Sequence, residues 1–366
     1  MKHKKVLNYL LVMILLGLVL SACSGAVSPQ SQATSPVQPQ TAAPVVLNVM
    51  TYNSFSASQD VIDSFQKQYN IQLKFLKSGD TGAALNKAIL SKNAPLADVF
   101  FGVDNTFLSR ALSSGIFLAY KSPLLNDIPD KYKLDPSDQM LPVDHSDVCL
   151  VYDKAYFQKN NLPVPQSFDD LLKPEYKNLL VVENPATSSP GLAFLLATIA
   201  HYGPDKYLDF WMSLKNNGVV VVDSWDTAYY TDFSGSSGKG PQPLVVSYDT
   251  DPAAEIVFST TPITVSPVGA ITAPQMCFQQ VEFVGILKGT QHLALAQKLV
   301  DFMMGVQFQE DMPLQMYVFP VNSQATLPDV FNEYVKQPEK PATLSPDEIS
   351  QNRDAWIKAW TQAVLQ

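Results

Sequence analysis

From Val45 onward, short apolar runs alternate with longer stretches in which apolar residues recur every three or four positions. "VVLNVMT" (45–51) reads as a strand. "SQDVIDSFQKQYN" (58–70) reads as a helix, with Val61, Ile62, Phe65 and Tyr69 on one face. Strand "IQLKFLK" (71–77), loop "SGDTG", a helix around 83–91 and strand "ADVFFG" (97–102) follow. Short apolar strands alternating with helices predict an α/β domain with a mainly parallel sheet. Ligands gather at the carboxyl ends of such strands. The loops there are "YNSFSAS", "SGDTG" and "VDNT".

A second set supplies strands "VCLVYD" (148–153), "NLLVVE" (178–183), "GVVVVD" (218–223) and "PLVVSYD" (243–249). Helices are expected near 191–202, 204–216 and 251–258, and "GSSGKGPQP" (235–243) reads as a flexible loop. Strand "VEFVGIL" (281–287) and a helix at 291–304 come next. The chain closes with a well-marked helix in "SPDEISQNRDAWIKAWTQAVL". Ser345 caps it, Pro346 takes the first turn and Glu348 completes a capping box, with Ile349, Trp356, Trp360 and Val364 as the packing face. No internal repeat is visible. Two strand–helix sets in one chain predict two lobes with a cleft between them.

The first residues follow another pattern. "MKHKK" is basic, Leu10 to Leu20 is apolar but too short to span a bilayer, and "LSAC" (20–23) places small residues just before a cysteine. This resembles a bacterial lipobox, which implies a signal peptide over 1–22 and lipidation of Cys23. Residues 24–46 carry no charge and are rich in Ser, Pro, Gln, Thr and Ala, so they read as a tether that cannot repay its ordering entropy. Lipid plus tether describes a protein held on the outer face of a membrane. Removing the leader takes away three lysines and no acids. That leaves 22 basic against 34 acidic residues, a net charge of −12. So acidic a surface argues against nucleic acid and draws small cations. Cys149 and Cys277 remain, either as one disulfide or as two buried thiols.

The four histidines, His3, His145, His201 and His292, have no zinc-ligand spacing with one another or with cysteine. GxSxG, P-loop and GxGxxG motifs are absent. "VDHSD" (143–147) sets His145 beside Ser146 and Asp147, but triads are assembled from distant positions, so the adjacency means little. A polar strand end or hinge is the plainer reading, and a surface hydrolase using His145 is the alternative from another functional class.

The strand-end loops carry more polar and aromatic groups than a core requires. Tyr52 ends the first strand, Asp80 lies in the second loop, and Asp104 with Asn105 in the third. Thr187, Ser188 and Ser189 precede Pro190 at a helix start, an arrangement that caps a helix and also suits an anion. Trp225 and Tyr248 each follow a strand. Aromatic faces with carboxylates are what a desolvated organic cation needs, each ring offering about 0.5–2 kcal/mol.

From about Leu47 to the C-terminus the chain resembles the thiamine-binding proteins of bacterial ABC importers. The matching motifs are "TYNSF" (51–55), "ADVFFGVDN" (97–105), "VYDK" (151–154), "NPATSSPGL" (184–192), "SWDTAY" (224–229), "SYDTDPA" (247–253), "QVE" (280–282), "MPLQMYVFPV" (312–321) and "SPDEISQNRDAWIKAW". The resemblance implies a two-lobed type II periplasmic-binding-protein fold. Lobe 1 takes 47–145 and 280–366, and lobe 2 takes 146–279. It also implies an extracytoplasmic monomer that delivers its cargo to an ABC permease and its ATPase, with no cofactor and no metal, while the membrane anchor is the expectation from the lipobox. The family's ligand residues fall on Tyr52, Asp80, Thr81, Ser188, Ser189, Trp225, Tyr248, Asp249, Thr250, Asp251, Pro252 and Tyr317. Stacking falls to Trp225, Tyr52 and Tyr317, an amino-group hydrogen bond to Asp80, and a hydroxyethyl or phosphate end to Ser188 and Ser189.

Tyr317 stands where the pattern has tryptophan and Ala254 where relatives carry tyrosine, while His145 and Asp147 replace aromatic residues. The resemblance therefore leaves open thiamine, its monophosphate or its pyrophosphate as cargo. A related family of ferric-ion receptors uses adjacent tyrosines, and Tyr229-Tyr230 supplies such a pair.

Overall fold

The structure, a computed structural model, describes residues 44–236 and 240–366. The expected leader, Cys23 and most of the expected tether lie outside the described residues, as do three residues of the 235–243 loop. Among the described residues no helix is long and apolar enough to cross a membrane.

The first β-α units run β1 (Val45–Thr51), α1 (Gln59–Tyr69), β2 (Ile71–Lys77), α2 (Thr81–Leu90), β3 (Val99–Asp104), α3 (Leu108–Ser113) and β4 (Phe117–Leu118). Helix α1 forms where the sequence predicts. The Ser58 hydroxyl accepts from the Val61 N–H, Asn70 closes the helix in the left-handed region, and Val61, Ile62 and Phe65 are buried. The chain continues through β5 (Leu141–Asp153), α4 (Lys154–Lys159), β6 (Leu180–Glu183), α5 (Ser189–Tyr202), α6 (Tyr207–Asn216), β7 (Val220–Val222), α7 (Trp225–Thr227), β8 (Leu244–Tyr248) and α8 (Asp251–Val257). It ends with β9 (Val268–Ile271), β10 (Phe278–Leu287), α9 (Leu293–Met304), α10 (Val306–Gln315), β11 (Phe319–Pro320), α11 (Asp329–Tyr334) and α12 (Pro346–Val364).

One hydrogen-bonded path joins the strands in the order β2-β1-β3-β10-β5-β8-β6-β7, with β4 added to β10 and β9 and β11 added to β5. The outer pairs β1–β2, β1–β3, β6–β7 and β6–β8 are parallel. The central strands β10 and β5 run antiparallel to each other and to their neighbours, so the sheet is mixed. Parallel pairing at both ends aligns the carboxyl ends of β1 with β2 and of β6 with β7, the strand ends at which ligands gather in such sheets.

Strand β5 is longer than its apolar run suggests. It starts at Leu141, so "VDHSD" is a strand interior and not a strand end. The reason is tertiary: His145 and Asp144 pair with β11 on one side, and 141–148 with β10 on the other. A disulfide joins Cys149 of β5 to Cys277 just before β10, which settles the open choice between thiols and a cross-link. Helix α12 has the expected capping box, and Ile349, Trp360 and Val364 are buried. Arg353 is buried with them, its guanidinium 5.2 Å from the Phe107 ring.

Candidate functional site

A cavity of about 720 Å³ lies over the strand ends. Its volume falls in the range that encloses a small organic molecule. Tyr52, Asp80, Thr81, Ser189, Trp225, Tyr248, Thr250, Asp251 and Tyr317 line it. The other three positions expected from sequence, Ser188, Asp249 and Pro252, are buried outside the lining. The Asp249 carboxylate accepts from the Ser146 hydroxyl at 3.0 Å and the Asp147 N–H at 3.2 Å, which makes it a support for β5.

One wall is aromatic. The Ser224 hydroxyl caps the short helix α7 by accepting from the Thr227 N–H, and the chain then widens into a π-helical turn, Ala228–Asp232. An inserted π-turn re-aims consecutive side chains. Here it lays Tyr229 parallel to Trp225, with ring centres 5.0 Å apart and planes at 16°. Tyr230 stands edge-on to Trp225 at 5.3 Å and Tyr248 at 6.2 Å. The Trp225 indole N–H donates to Ser247 Oγ at 2.9 Å, so the ring is fixed from β8. Tyr52 leans across Gly102, where a Cβ would come within 2.3 Å of its ring. Only glycine admits that approach.

Tyr317, also in the lining, has φ +56°. A bulky side chain rarely adopts that conformation, which is held where surrounding structure fixes it and often where function requires it. Its ring packs on Phe258 at 4.9 Å, and its hydroxyl is buried without a hydrogen-bond partner. Thr250 Oγ1, also in the lining, is likewise buried and unpartnered, whereas the Ser189 hydroxyl turns to Asp104.

The charged part of the lining is acidic. Asp80, Asp144, Asp251, Glu255 and Glu282 all reach the cavity, and among the described lining residues there is no Lys, Arg or His. Burial pushes the Asp80 carboxyl up to about 6, against the opposing pull of the Trp225 N–H. Burial raises Asp251 to about 8, offset in part by hydrogen bonding from Ser247 and the Tyr248 N–H. Asp144 rises to about 7 by burial, and Glu282 well above its ordinary range by burial and the neighbouring Asp144 charge. Tyr52 donates to Glu282 Oε2 at 2.8 Å, Gln280 Nε2 donates to Oε1 at 3.2 Å, and Tyr248 donates to Gln280 at 3.4 Å. Burial holds protons on these acids, and a positive ligand entering the same space would favour their ionised forms, so the lining suits a cation.

Some expected roles are filled within the protein. The Thr81 hydroxyl donates to Gly102 O at 2.9 Å, and the first turn of α2 gives its Gly82 N–H to Thr187 O at 3.0 Å. Asp80 does not cap α2 with its side chain. It accepts the Trp225 N–H at 2.9 Å and so joins two loops that both line the cavity.

Asp144, Ser146, Gln280 and Glu282 were not in the sequence-derived set, although strand periodicity places them together. Along β5, Asp144 and Ser146 face the cavity and His145 and Asp147 face away from it. His145 is stacked between Tyr132 at 4.6 Å and Phe319 at 5.2 Å and hydrogen-bonded to the Tyr132 hydroxyl at 2.8 Å, and burial lowers it to about 3. It occupies an aromatic slot as a neutral ring. Because Ser146 leaves the opposite face of the strand, the two do not form a nucleophile–base pair.

The Tyr229-Tyr230 pair does line the cavity, but its rings are at 89° and Tyr229 donates to Glu255 Oε1 at 2.9 Å. Burial, then Asp251 and Glu255, hold the Tyr229 phenol well above its ordinary value, and burial with the same acids raises Tyr230 to about 12. Both effects oppose phenolate formation. Among the described residues, no group of three or more His, Cys, Asp or Glu is arranged to hold a metal ion.

The family model described as "Bacterial extracellular solute-binding protein" matches residues 94–352. The thiamine-binding periplasmic protein of Escherichia coli strain K12 is 32% identical over 326 residues, which cover 87% of this chain and 93% of that protein. A solved structure titled "Periplasmic thiamin binding protein" superimposes with a TM-score of 0.76 at 29% identity, covering 88% of this chain and 96% of that one. The iron-bound HitA structure from Pseudomonas aeruginosa gives a TM-score of 0.70 over 87% of this chain and 98% of its own. At 18% identity, that last likeness shows the fold alone.

Proposed function

This chain belongs to the bacterial extracellular solute-binding proteins and has their type II periplasmic-binding fold; from that premise we propose that it captures thiamine, or a phosphate ester of it, and hands it to an ABC importer's permease and ATPase. The observation that carries the reading is the pairing of an aromatic wall with an acidic lining that contains no basic residue. Thiamine is flat, aromatic and permanently cationic. Trp225, Tyr52 and Tyr317 offer ring faces, Asp80 has acceptor capacity beyond its bond to Trp225 for an amino group, and Thr250 carries a hydroxyl without a protein partner for the polar end, with Ser189 beside it in the lining.

Capture proceeds by closure. The expected lobe boundaries, 145/146 and 279/280, fall inside β5 and β10, at positions that lie side by side in the register Ser146–Gln280 and His145–Val281. Two adjacent crossing strands form a short hinge, and a ligand that touches both sides favours the closed state by its differential affinity. The role is binding without turnover. The protein acts outside the cytoplasm, as a monomer tethered through a lipid on Cys23, in keeping with its disulfide.

The ferric reading has less support, because Tyr229 is committed to Glu255 and to its stack on Trp225. A thermal-shift and calorimetry panel with thiamine, thiamine monophosphate, thiamine pyrophosphate and ferric citrate tests the assignment. Saturable stabilisation by a thiamine compound is expected. A visible charge-transfer band with ferric citrate and no response to any thiamine compound would overturn it.

A further inference from the structure

Three carboxylates stand in a row across the centre of the sheet. Glu282 of β10 lies directly opposite Asp104 of β3 on one side and Asp144 of β5 on the other. Residues opposite one another in an antiparallel ladder share a face, with Cβ atoms about 5 Å apart. All three are buried, yet the row includes no lysine or arginine. Asp104 spends Oδ1 on the Thr106 N–H and hydroxyl and the Phe107 N–H, and lies behind the lining. Glu282 and Asp144 reach the cavity. Glu282 accepts from Tyr52 and Gln280, and the side chain that bonds to Asp144 is Glu282 itself.

Two carboxylates this close in a dry site do not both ionise; they hold one proton between them. The groups facing the pair offer no cation. Tyr52 just after β1, Tyr248 from β8 and Gln280 from β10 are neutral, Asp104 from β3 is acidic, and β11 presents Pro320 opposite Asp144. Arg353 of α12 acts on Asp104, and Lys131 acts on His145 and Asp147, which face away from the cavity.

We propose that the Asp144–Glu282 pair is the cation-recognition point of the cavity, where the positive charge of the bound ligand replaces the proton the two carboxyls share when it is empty. The inference rests on the receptor reading above and names the residues that read the ligand's charge. Only an O–H bond breaks, and the proton leaves to solvent. One positive charge enters as another departs, so the buried charge is conserved and the binding step avoids stranding an unpaired carboxylate. A permanent cation such as a thiazolium serves, whereas a neutral analogue of the same shape does not displace the proton.

The test is calorimetry of thiamine binding at pH 6 in two buffers of different ionisation enthalpy, with wild type, Asp144→Asn and Glu282→Gln. Wild type should release about one proton per thiamine, with affinity rising about tenfold per pH unit up to roughly pH 7 and then levelling. Both variants should bind more weakly, and Asp144→Asn should bind without releasing a proton. The wild-type proton count stands even if a variant fails to fold. Thiamine bound without proton release overturns the pair's role and leaves the receptor reading intact. Proton release unchanged in both variants assigns it to Asp80 or Asp251 and likewise overturns the pair. No thiamine binding at any pH overturns the receptor reading itself.

Discussion

The Asp80 carboxylate accepts the backbone N–H of Trp225 at 2.9 Å, tying together loops 145 residues apart in the chain. A single acid therefore both lines the cavity and positions its main aromatic ring. Asp80→Ala removes the charge and the tie, and a charged hydrogen bond of this kind is worth about 1.5–3 kcal/mol. We expect thiamine affinity to fall roughly 10- to 150-fold. Asp80→Asn keeps an acceptor for the N–H and should lose less. Equal losses in the two variants, measured by calorimetry, would mean that only the charge matters.

Trp225 should report on the ligand directly. Of the four tryptophans, Trp211 and Trp360 are fully buried against each other at 5.3 Å and Trp356 lies on α12, so only Trp225 lines the cavity. Thiamine should change the emission of the wild type, and Trp225→Phe should abolish most of that change. Trp225→Ala should weaken binding by about 0.5–2 kcal/mol, the range of one cation–π contact. Unchanged affinity would remove the stacking role.

The cavity's rim was easier to read in the sequence than its floor. Tyr52, Trp225 and Tyr248 stand at strand ends, where an aromatic after an apolar run is conspicuous. Asp144 and Glu282 sit inside strands that side chains from neighbouring strands complete, and no local pattern records which residue lies across a ladder 138 positions away. A lone glutamate in the apolar run "VEFVGIL" was the available signal, since a carboxylate in a core strand needs a reason to be there. The Tyr229-Tyr230 pair was legible as chemistry, but its orientation depends on a π-turn that periodicity does not announce. Ser188, Asp249 and Pro252 neighbour lining residues in sequence but stand outside the lining.

Tyr317 carries a cost when the cavity is empty. Its hydroxyl is buried and unpaired and its backbone sits at φ +56°. An unsatisfied buried hydroxyl costs about 1–3 kcal/mol. Tyr317→Phe should therefore raise the stability of the empty protein by roughly 1 kcal/mol while weakening thiamine binding. Opposite signs in thermal unfolding and in calorimetry are the expected signature. Lower stability with unchanged affinity would place the residue among ordinary packing.

The Cys149–Cys277 bond closes a loop with a sequence separation of 128, beside the two strands proposed as the hinge. Removing a native cross-link over so long a loop costs about 2–5 kcal/mol. A Cys149→Ser/Cys277→Ser double variant should unfold about 4–10 °C below wild type, at about 2 °C per kcal/mol in a chain of this size. Scanning calorimetry of the two proteins decides the matter. Equal transitions would mean that strand pairing alone holds β5 to β10.

Stability should fall as pH rises, against the habit of acidic proteins. Asp80 and Asp147 are raised to about 6, Asp144 to about 7 and Asp251 to about 8, each by burial first. An unfolded aspartate gives up its proton near 4. Between about pH 4 and 8 the native state therefore holds more protons than the unfolded chain, and the slope of stability against pH is negative. Each contribution is present below the unfolded value and is lost as pH climbs through the native one. His145, lowered to about 3 by burial, runs the other way, because the unfolded chain alone takes up its proton as pH falls below about 6.5. That is one proton set against four, so the sign of the sum holds. The ligand-free protein should show its melting temperature decreasing from pH 5 to pH 8 by several degrees, and added thiamine should stabilise it most at the upper end, where the cavity's carboxylates are ionised. A melting temperature that climbs steadily over the same interval without ligand would mean that these acids are solvated, and the cavity would lose the dry acidic lining on which cation capture depends.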